Sequence, residues 1–485
     1  MTTIKLDPGA ALLLDVLHGA GHAAYAVGGC VRDSLLGLDP HDWDLCTSAR
    51  PEQVMALFGE EKCIPTGLQH GTVTVKQGGR LYETTTFRTE GAYSDGRHPD
   101  AVCFVPDVRE DLARRDFTIN AMAYSAEEGL IDPFGGRDDL AAHLVRAVGE
   151  PERRFEEDAL RILRLYRFAA RFGFAIDPAT GAAARALGPH LDCVSAERIQ
   201  EELLKLLAAP RPGSYLEPAV LAVVLPELEP EKQPERFAEL CRTIDRIEPT
   251  AENVPTRLAA LLCPLGEAGA RKALRKLKCS NALTDEVTAL VKEVGEGSVG
   301  SFLLPRSRDR RAGSSSEDRP LGWDPAAAGS RAGDGMACNS NDRRQWRMQE
   351  VAVGAAASDT QAMRSGCWEP QPELVSDQTL MAKRLLGRYE LPTVQRLTAL
   401  GSAQHPEGAE AFAALQAEAE RLTAENVCCR VSQLAVNGRD LMAAGVRPGP
   451  GLRQVLNALL EAVITGQTPN EKDALLAAAA QFSAS

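Results

Sequence analysis

GGCVRDSLLGLDPHDWDL, residues 28–45, is the stretch that decides the fold. Before it, AAYAVGG (23–29) has the apolar pattern of a buried strand and ends in glycines. VRDSLLG then reads as a short helix closed by Gly37. Glycine lets a backbone come close to a phosphate, and a helix N-terminus presents unpaired N–H donors that favour an anion. Arg32 would add a charge-assisted contact to a triphosphate. DWDLCTS (42–48) is the next strand. Asp42 and Asp44 lie two apart on it, so both side chains leave the same face. Two carboxylates on one rigid face can hold one or two Mg²⁺ ions through oxygen.

Outward from this stretch, residues 10–22 read as an amphipathic helix, and PEQVMALF (51–58) as a helix with proline near its start. GTVTVKQGGRLYETTTF (71–87) is two alternating β-branched runs joined by Gly78-Gly79, a hairpin signature. Glu83 sits on its second run and supplies a third carboxylate if that strand is a neighbour. An Asp-x-Asp alone is common, and a glycine pair before a helix is weaker still; their order along one segment carries the reading. His41-Asp42 suggests a metal phosphohydrolase. That chemistry needs further His and Asp ligands on helices, and the eight histidines are not so arranged.

From about residue 148 the period becomes helical in FEEDALRILRLYRFAARFGF, SAERIQEELLKLLAA and ARKALRKLKCSNALTDEVTALVKEV. Pro151, Pro178, Pro189 and Pro210 mark the joints. Residues 298–372 are rich in Gly, Ser, Arg and Asp, with little apolar periodicity. Such a segment buries too little apolar surface to offset its chain entropy, so disorder is expected. A stretch translated in the wrong frame is the other reading of that abrupt change. Helical sequence resumes near 375.

The chain of 485 residues is too long for one core. No apolar run approaches the ~20 residues of a membrane span, and the N-terminus has no basic n-region, so neither a membrane nor a signal peptide is expected. None of the 12 cysteines forms a CxxC pair, and buried cytosolic thiols are the ordinary reading. A net charge of −13 gives no global attraction to nucleic acid, so any RNA site must be a local basic surface. Arg271, Lys272, Arg275, Lys276 and Lys278 form the best such patch, with a solvated helix face as the alternative. Arg114 and Arg115 in RRDFT (114–118) are similarly ambiguous and could simply be exposed after a loop.

Taken in order, the motifs resemble the class II tRNA nucleotidyltransferase and poly(A) polymerase family, within the DNA polymerase beta-like superfamily. GGCVRD with DWD resembles its first motif. TEGAYSDGRHPDAV (89–102) resembles the flexible loop of its CCA-adding members. DLARRDFTINAMAY (111–124) and GLIDPFGG (129–136) resemble the next signature. EEDALRILRLYRFAARFGF (156–174) resembles the nucleotide-selecting helix, and SAERIQEELLKLL (195–207) the motif after it. LAVNGRDLMAAGVRPGPGLRQVLNALL (434–460) resembles the tail of bacterial members.

The resemblance implies an α/β nucleotidyltransferase head with a DNA polymerase beta-like mixed sheet, followed by an all-helical neck, body and tail. The head is expected over 1–147, the neck over 148–210, the body over 211–297 and a tRNA-binding tail over 373–485. It implies Asp42 and Asp44 as Mg²⁺ ligands, and Gly29, Arg32, Arg115, Asp158, Arg161, Arg164 and Arg167 as nucleotide contacts. In the same family reading Asp116 would orient an arginine and Asn120 would bond the site backbone. The implied reaction adds C, C and A to the 3′ end of tRNA from CTP and ATP and releases pyrophosphate. One ion would activate the 3′-hydroxyl and the other would stabilise the leaving group. tRNA is the expected partner, with no obligate protein partner, in the cytoplasm.

Asp158 and Arg161, spaced i, i+3, share one face of the expected helix. Cytosine and adenine both present an amino donor beside a ring-nitrogen acceptor. An aspartate accepts from the first and a guanidinium donates to the second. Uracil and guanine would leave the same groups unpaired, at ~1–3 kcal/mol each. The alternative is an amphipathic helix with a solvated arginine face and a core of Leu160, Leu163, Phe168 and Phe172. Two other functions remain open: an A-adding or poly(A) polymerase of the same family, and a tRNA-binding protein without catalysis.

Overall fold

The structure, a computed structural model, describes residues 3–91, 102–295 and 376–482. Helix α1 (Pro8–Gly19) starts two residues earlier than its apolar period suggests. The reason is a cap: the Asp7 carboxylate accepts from Gly9 N and Ala10 N at 2.9 and 3.2 Å. Strand β1 (Ala24–Val27) is wholly buried and runs through Gly28 into α2 (Gly29–Leu35). β2 (Leu45–Thr47) and α3 (Pro51–Phe58) follow. β3 (Cys63–Gly67) leads into the expected hairpin, β4 (Thr72–Gln77) and β5 (Arg80–Thr86). Its two-residue turn holds Gly78 and Gly79 at φ 57° and 80°, the left-handed pair that such a turn requires. A small ribbon of β6 (Arg88–Glu90) and β7 (Val102–Phe104) precedes α4 (Val108–Ala113). β8 (Ala123–Ser125), β9 (Gly129–Ile131) and α5 (Gly136–Ala141) complete this part.

The main sheet has the order β3-β4-β5-β2-β1-β8-β9. Its one parallel pairing, β2 with β5, sets Leu45 against Thr84 and so brings the hairpin beside the aspartate segment. The sheet is mixed, as the resemblance implies.

Beyond it, β10 (Leu144–Val145) pairs with β11 (Ala175–Ile176) around α6 (Pro151–Glu157) and α7 (Leu160–Phe172). The remainder is helical: α8 (Pro178–Ala186), α9 (Ala196–Leu207), α10 (Pro218–Val224), α11 (Pro234–Arg246), α12 (Val254–Leu262), α13 (Gly266–Lys276) and α14 (Asn281–Gly295). The expectation of disorder over 298–372 lies wholly outside the described residues.

Helices resume at Asp377–Arg388 and pack back on what precedes them. Glu293, buried on α14, accepts from Arg388 at 2.7 Å and from the Tyr389 hydroxyl at 2.9 Å. Arg246 donates to the Ala403 carbonyl at 3.0 Å, and Arg396 to that of Glu252 at 3.0 Å. One apolar core runs from Ile4 to Cys429, and a smaller one gathers Cys428 through Ala479. Among the described residues no helix is long and apolar enough to cross a membrane.

Candidate active site

The site begins at the turn between β1 and α2. Val27 N donates to the Asp44 carbonyl at 2.9 Å and Gly28 N to that of Met122 at 3.0 Å. Gly28 has φ 77°, and a Cβ there would stand 3.0 Å from Arg115 Nη1. The positive φ calls for glycine, and any side chain there would crowd the guanidinium above it. Arg115 thus lies over the turn, tethered to the buried Asp111 at 3.3 Å. Its buried Nε has no hydrogen-bond partner.

The sequence pattern places Asp42 and Asp44 inside a strand; the ladder in fact begins at Leu45. The Val27–Asp44 bond extends the extended conformation by one residue. The alternation survives: Asp42 and Asp44 are exposed and Trp43 between them is 5% exposed. The two carboxylates therefore share the outer face. Glu83 precedes Thr84 as Asp44 precedes Leu45, so it stands on that face of the neighbouring strand. The Asp44 pKa is pushed up to about 6, first by burial of the carboxyl among surrounding protein atoms, then by Glu83, with Arg115 opposing and Asp42 adding. Its own surface still reaches solvent, so crowding rather than sealing is the cause.

Among the described residues no three His, Cys, Asp or Glu side chains form a group that could hold a metal. Glu83 thus stands beside the aspartates as a neighbouring charge and does not complete a cage. An open pair of carboxylates fits Mg²⁺, which binds through one or two of them and takes its other ligands from water and substrate phosphate. The repulsion from Glu83 and Asp42 that adds to the rise at Asp44 is what a cation would relieve.

Arg32, expected to reach a triphosphate, is 4% exposed. It donates to Asp33 at 2.8 Å and to Asn120 Oδ1 at 2.5 Å, and sits 5.3 and 4.8 Å from the Phe168 and Phe172 ring centres. It joins the glycine turn to α7. Asn120 accordingly bonds a side chain rather than site backbone. It also donates to Asp116 at 3.0 Å, and Asp116 accepts from Arg164 at 2.7 and 2.9 Å. Arg167 pairs with Glu202 of α9 at 2.6 Å. These arginines are ion-paired and only partly exposed, so the solvated-face alternative does not describe α7.

Burial of Asp116 raises its pKa, but Arg164 and Asn120 outweigh that and hold it at about 2. A carboxyl depressed in this way stabilises the fold above its unfolded pKa and loses that stabilisation as pH falls toward 2. Against the ordinary 3.8, the effect is about 2 kcal/mol at neutral pH. Asp116→Asn is expected to lose that much in urea unfolding near neutrality. The gap from wild type should close as pH drops from about 4 to about 2. A gap independent of pH would contradict the assignment.

The single helix expected within 156–174 is two helices. Asp158 lies between α6 and α7 with extended backbone, φ −147° and ψ 102°. Its carboxylate accepts from Leu160 N at 3.1 Å, the local bond by which aspartate competes with a continuing helix. Asp158 and Arg161 therefore do not share a helical face. Each has its own partner. Arg198 of α9 donates to both oxygens of Asp158, at 3.3 and 2.8 Å. Arg161 donates to Glu157 at 2.8 Å and to the Arg114 carbonyl at 3.0 Å. Glu157, Arg198 and Glu202 were not singled out by sequence. The i, i+4 spacing of Arg198 and Glu202, on one face of SAERIQEELLKLL, was the available signal.

Of the basic cluster, Arg271 is tied to Asp285 at 2.8 Å and to Thr288 at 2.9 Å. Lys272, Arg275, Lys276 and Lys278 are exposed around the end of α13.

Family comparison agrees with this architecture. The Poly A polymerase head domain matches residues 24–146, the RNA and SrmB-binding site of polymerase A matches 173–231, and tRNA nucleotidyltransferase domain 2 matches 383–479. The CCA-adding enzyme of Limosilactobacillus fermentum is 33% identical over 479 residues, 97% of this chain and 96% of that protein. The CCA-adding enzyme of Lactiplantibacillus plantarum is 33% identical over 468 residues, 96% of this chain and 93% of its own. The crystal structure of the Bacillus stearothermophilus CCA-adding enzyme in complex with CTP superposes with a TM-score of 0.68 at 29% identity, covering 98% of each chain. Sequence kinship over nearly the whole length, on a matching mixed-sheet and helical fold, makes this chain a nucleotidyltransferase of the CCA-adding enzyme family.

Proposed function

We propose that the protein adds C, C and A to the 3′ end of tRNA, taking CTP and ATP and releasing pyrophosphate. The observation that carries this reading is the exposed Asp42–Asp44 face beside the glycine turn and Arg115, in a chain related to CCA-adding enzymes along its length. Asp42 and Asp44 would hold Mg²⁺. The bound ion supplies a Lewis acid that lowers the pKa of the attacking hydroxyl and offsets charge on the phosphates. The tRNA 3′ oxygen forms a bond to the α-phosphorus, the bond from that phosphorus to the bridging oxygen breaks, and pyrophosphate leaves.

The chain's own residues do the rest. Gly28 and Gly29 let the backbone approach the phosphates, and Arg115 places a charge above them. Arg32 acts through the turn it braces. Arg164 and Arg167 form the wall of the cleft, fixed by Asp116 and Glu202. Asp158 and Arg161 read the amino and ring-nitrogen edge shared by cytosine and adenine. The exposed cluster at Lys272, Arg275, Lys276 and Lys278 offers tRNA a local basic surface on an acidic protein.

The test is incorporation of each nucleotide, singly, onto tRNA ending before CCA. C and then A are expected, with U and G poor. Long A tails from ATP alone on generic RNA ends would assign the protein to polyadenylation instead.

A further inference from the structure

A charge that is to meet a triphosphate must be aimed, and among the described residues Arg115 is held by a single carboxylate. We propose that Asp111, a fully buried side chain that does not touch the nucleotide, is the positioning residue for Arg115 and so sets how tightly CTP and ATP are bound. This rests on the proposed contact of Arg115 with the triphosphate.

The guanidinium of Arg115 carries five N–H donors. Among the described residues only Nη2 has a partner, Asp111 Oδ2 at 3.3 Å. Nε is buried without one. Nη1 stands 3.0 Å from the place that a Cβ on Gly28 would take. Most of the donor capacity of Arg115 is therefore unspent, directly beside the glycine turn. A side chain this long has many rotamers to choose from, and only its tether selects one.

Asp111 divides its two oxygens between anchoring itself and holding Arg115. Oδ1 accepts from Arg114 Nε at 3.0 Å, from Arg114 Nη2 at 2.8 Å and from the Arg88 amide at 3.3 Å. Those bonds, from the end of α4 and the start of β6, fix the carboxylate. Oδ2 is left to Arg115. Burial would raise the Asp111 pKa, but Arg114 and Arg115 outweigh it and hold it below the ordinary carboxylate range. The group is thus ionised, and a buried charge keeps its cations close. The main chain around Arg115 has other supports. Arg115 N donates to the Leu112 carbonyl at 3.2 Å. Arg154 of α6 reaches the Ala113 carbonyl at 2.9 Å, and Arg161 of α7 that of Arg114 at 3.0 Å. Removing the charge of Asp111 therefore frees the guanidinium while the backbone that carries it stays in place.

The experiment titrates CTP with Mg²⁺ in the absence of tRNA and reads the dissociation constant beside the melting temperature. It compares wild type, Asp111→Asn, Arg115→Met and the double variant. Asp111→Asn keeps the size of the side chain and removes its charge, and is expected to weaken CTP binding roughly tenfold. Arg115→Met should weaken it at least as much. The double variant should match Arg115→Met, because Asp111 acts only through Arg115. A merely structural carboxylate would lower the melting temperature and leave the dissociation constant alone, or its effect would add in full to that of Arg115→Met; either result overturns the proposal. If Asp111→Asn does not fold, Asp111→Glu decides. It keeps the charge and moves the carboxylate by one methylene, so weakened CTP binding supports the proposal and wild-type binding overturns it. Arg115→Met separates the two levels. If it binds CTP as wild type does, the contact of Arg115 with the triphosphate fails and the role of Asp111 falls with it. If it weakens binding while Asp111→Asn binds as wild type, only the role of Asp111 fails.

Discussion

Alanine at Asp42 or Asp44 is expected to lower CMP incorporation into tRNA by roughly a thousandfold or more, with the fold intact. On the proposed mechanism each replacement removes an oxygen ligand of the catalytic ion. That ion supplies several kcal/mol of transition-state stabilisation, and about 1.4 kcal/mol is tenfold in rate. The fold should be indifferent, because both side chains are exposed and the packing there is done by Trp43 and Leu45. Asp44→Ala also removes a carboxylate that its neighbours Glu83 and Asp42 repel, so the melting temperature should hold or rise. Labelled CTP on tRNA ending before CCA reads the first effect, and circular dichroism the second. A binding readout stands beside activity: Mg²⁺ should raise the melting temperature of wild type but not of the double alanine variant. Near-normal incorporation by that variant would end the metal assignment.

The second large effect is on stability. Arg257 of α12 is fully buried, an unusual place for a guanidinium. It donates to the carbonyls of Leu207 at 2.7 Å, Ala209 at 2.5 Å, Pro210 at 3.4 Å and Ile247 at 2.6 and 3.1 Å. Those carbonyls close α9 and α11, where the helix dipoles are negative. One side chain thus satisfies chain ends that would otherwise be buried without donors. Arg257→Met keeps the volume and removes every donor. Leaving a buried carbonyl without a donor costs about 1–3 kcal/mol, so losing this set is expected to cost about 3–5 kcal/mol. Urea unfolding should register a loss of that order, with Arg257→Lys recovering only part of it. A loss below about 1 kcal/mol would mean that these carbonyls do not depend on Arg257.

The two effects differ in how far sequence alone reveals them. Asp42 and Asp44 follow from short-range order: a glycine turn, an arginine and alternation along an extended segment. The hairpin at Gly78-Gly79 and the amphipathic helices are legible for the same reason, since period and turn chemistry act over a few residues. Arg257 sits in VPTRLAALL, where nothing local distinguishes it from a solvated arginine.

The break at Asp158 shows the limit within a single motif. Helical period runs straight through EEDALRILRL, and only the bonds of the aspartate to Leu160 N and Arg198 divide it. Arg32 shows another. A basic residue after a glycine turn suggests a phosphate, but its length also lets it reach between Phe168 and Phe172, contacts 136 and more residues away in the chain.

The class of the fold, the order of its parts and the acidic face were written in the linear sequence, because periodicity, glycine conformation and side-chain alternation are local properties. Which carboxylate, carbonyl or ring each arginine meets was decided only when distant helices met. A guanidinium takes its role from the carboxylate or carbonyl that packing puts within reach, and that partner is set by three-dimensional proximity rather than by sequence distance.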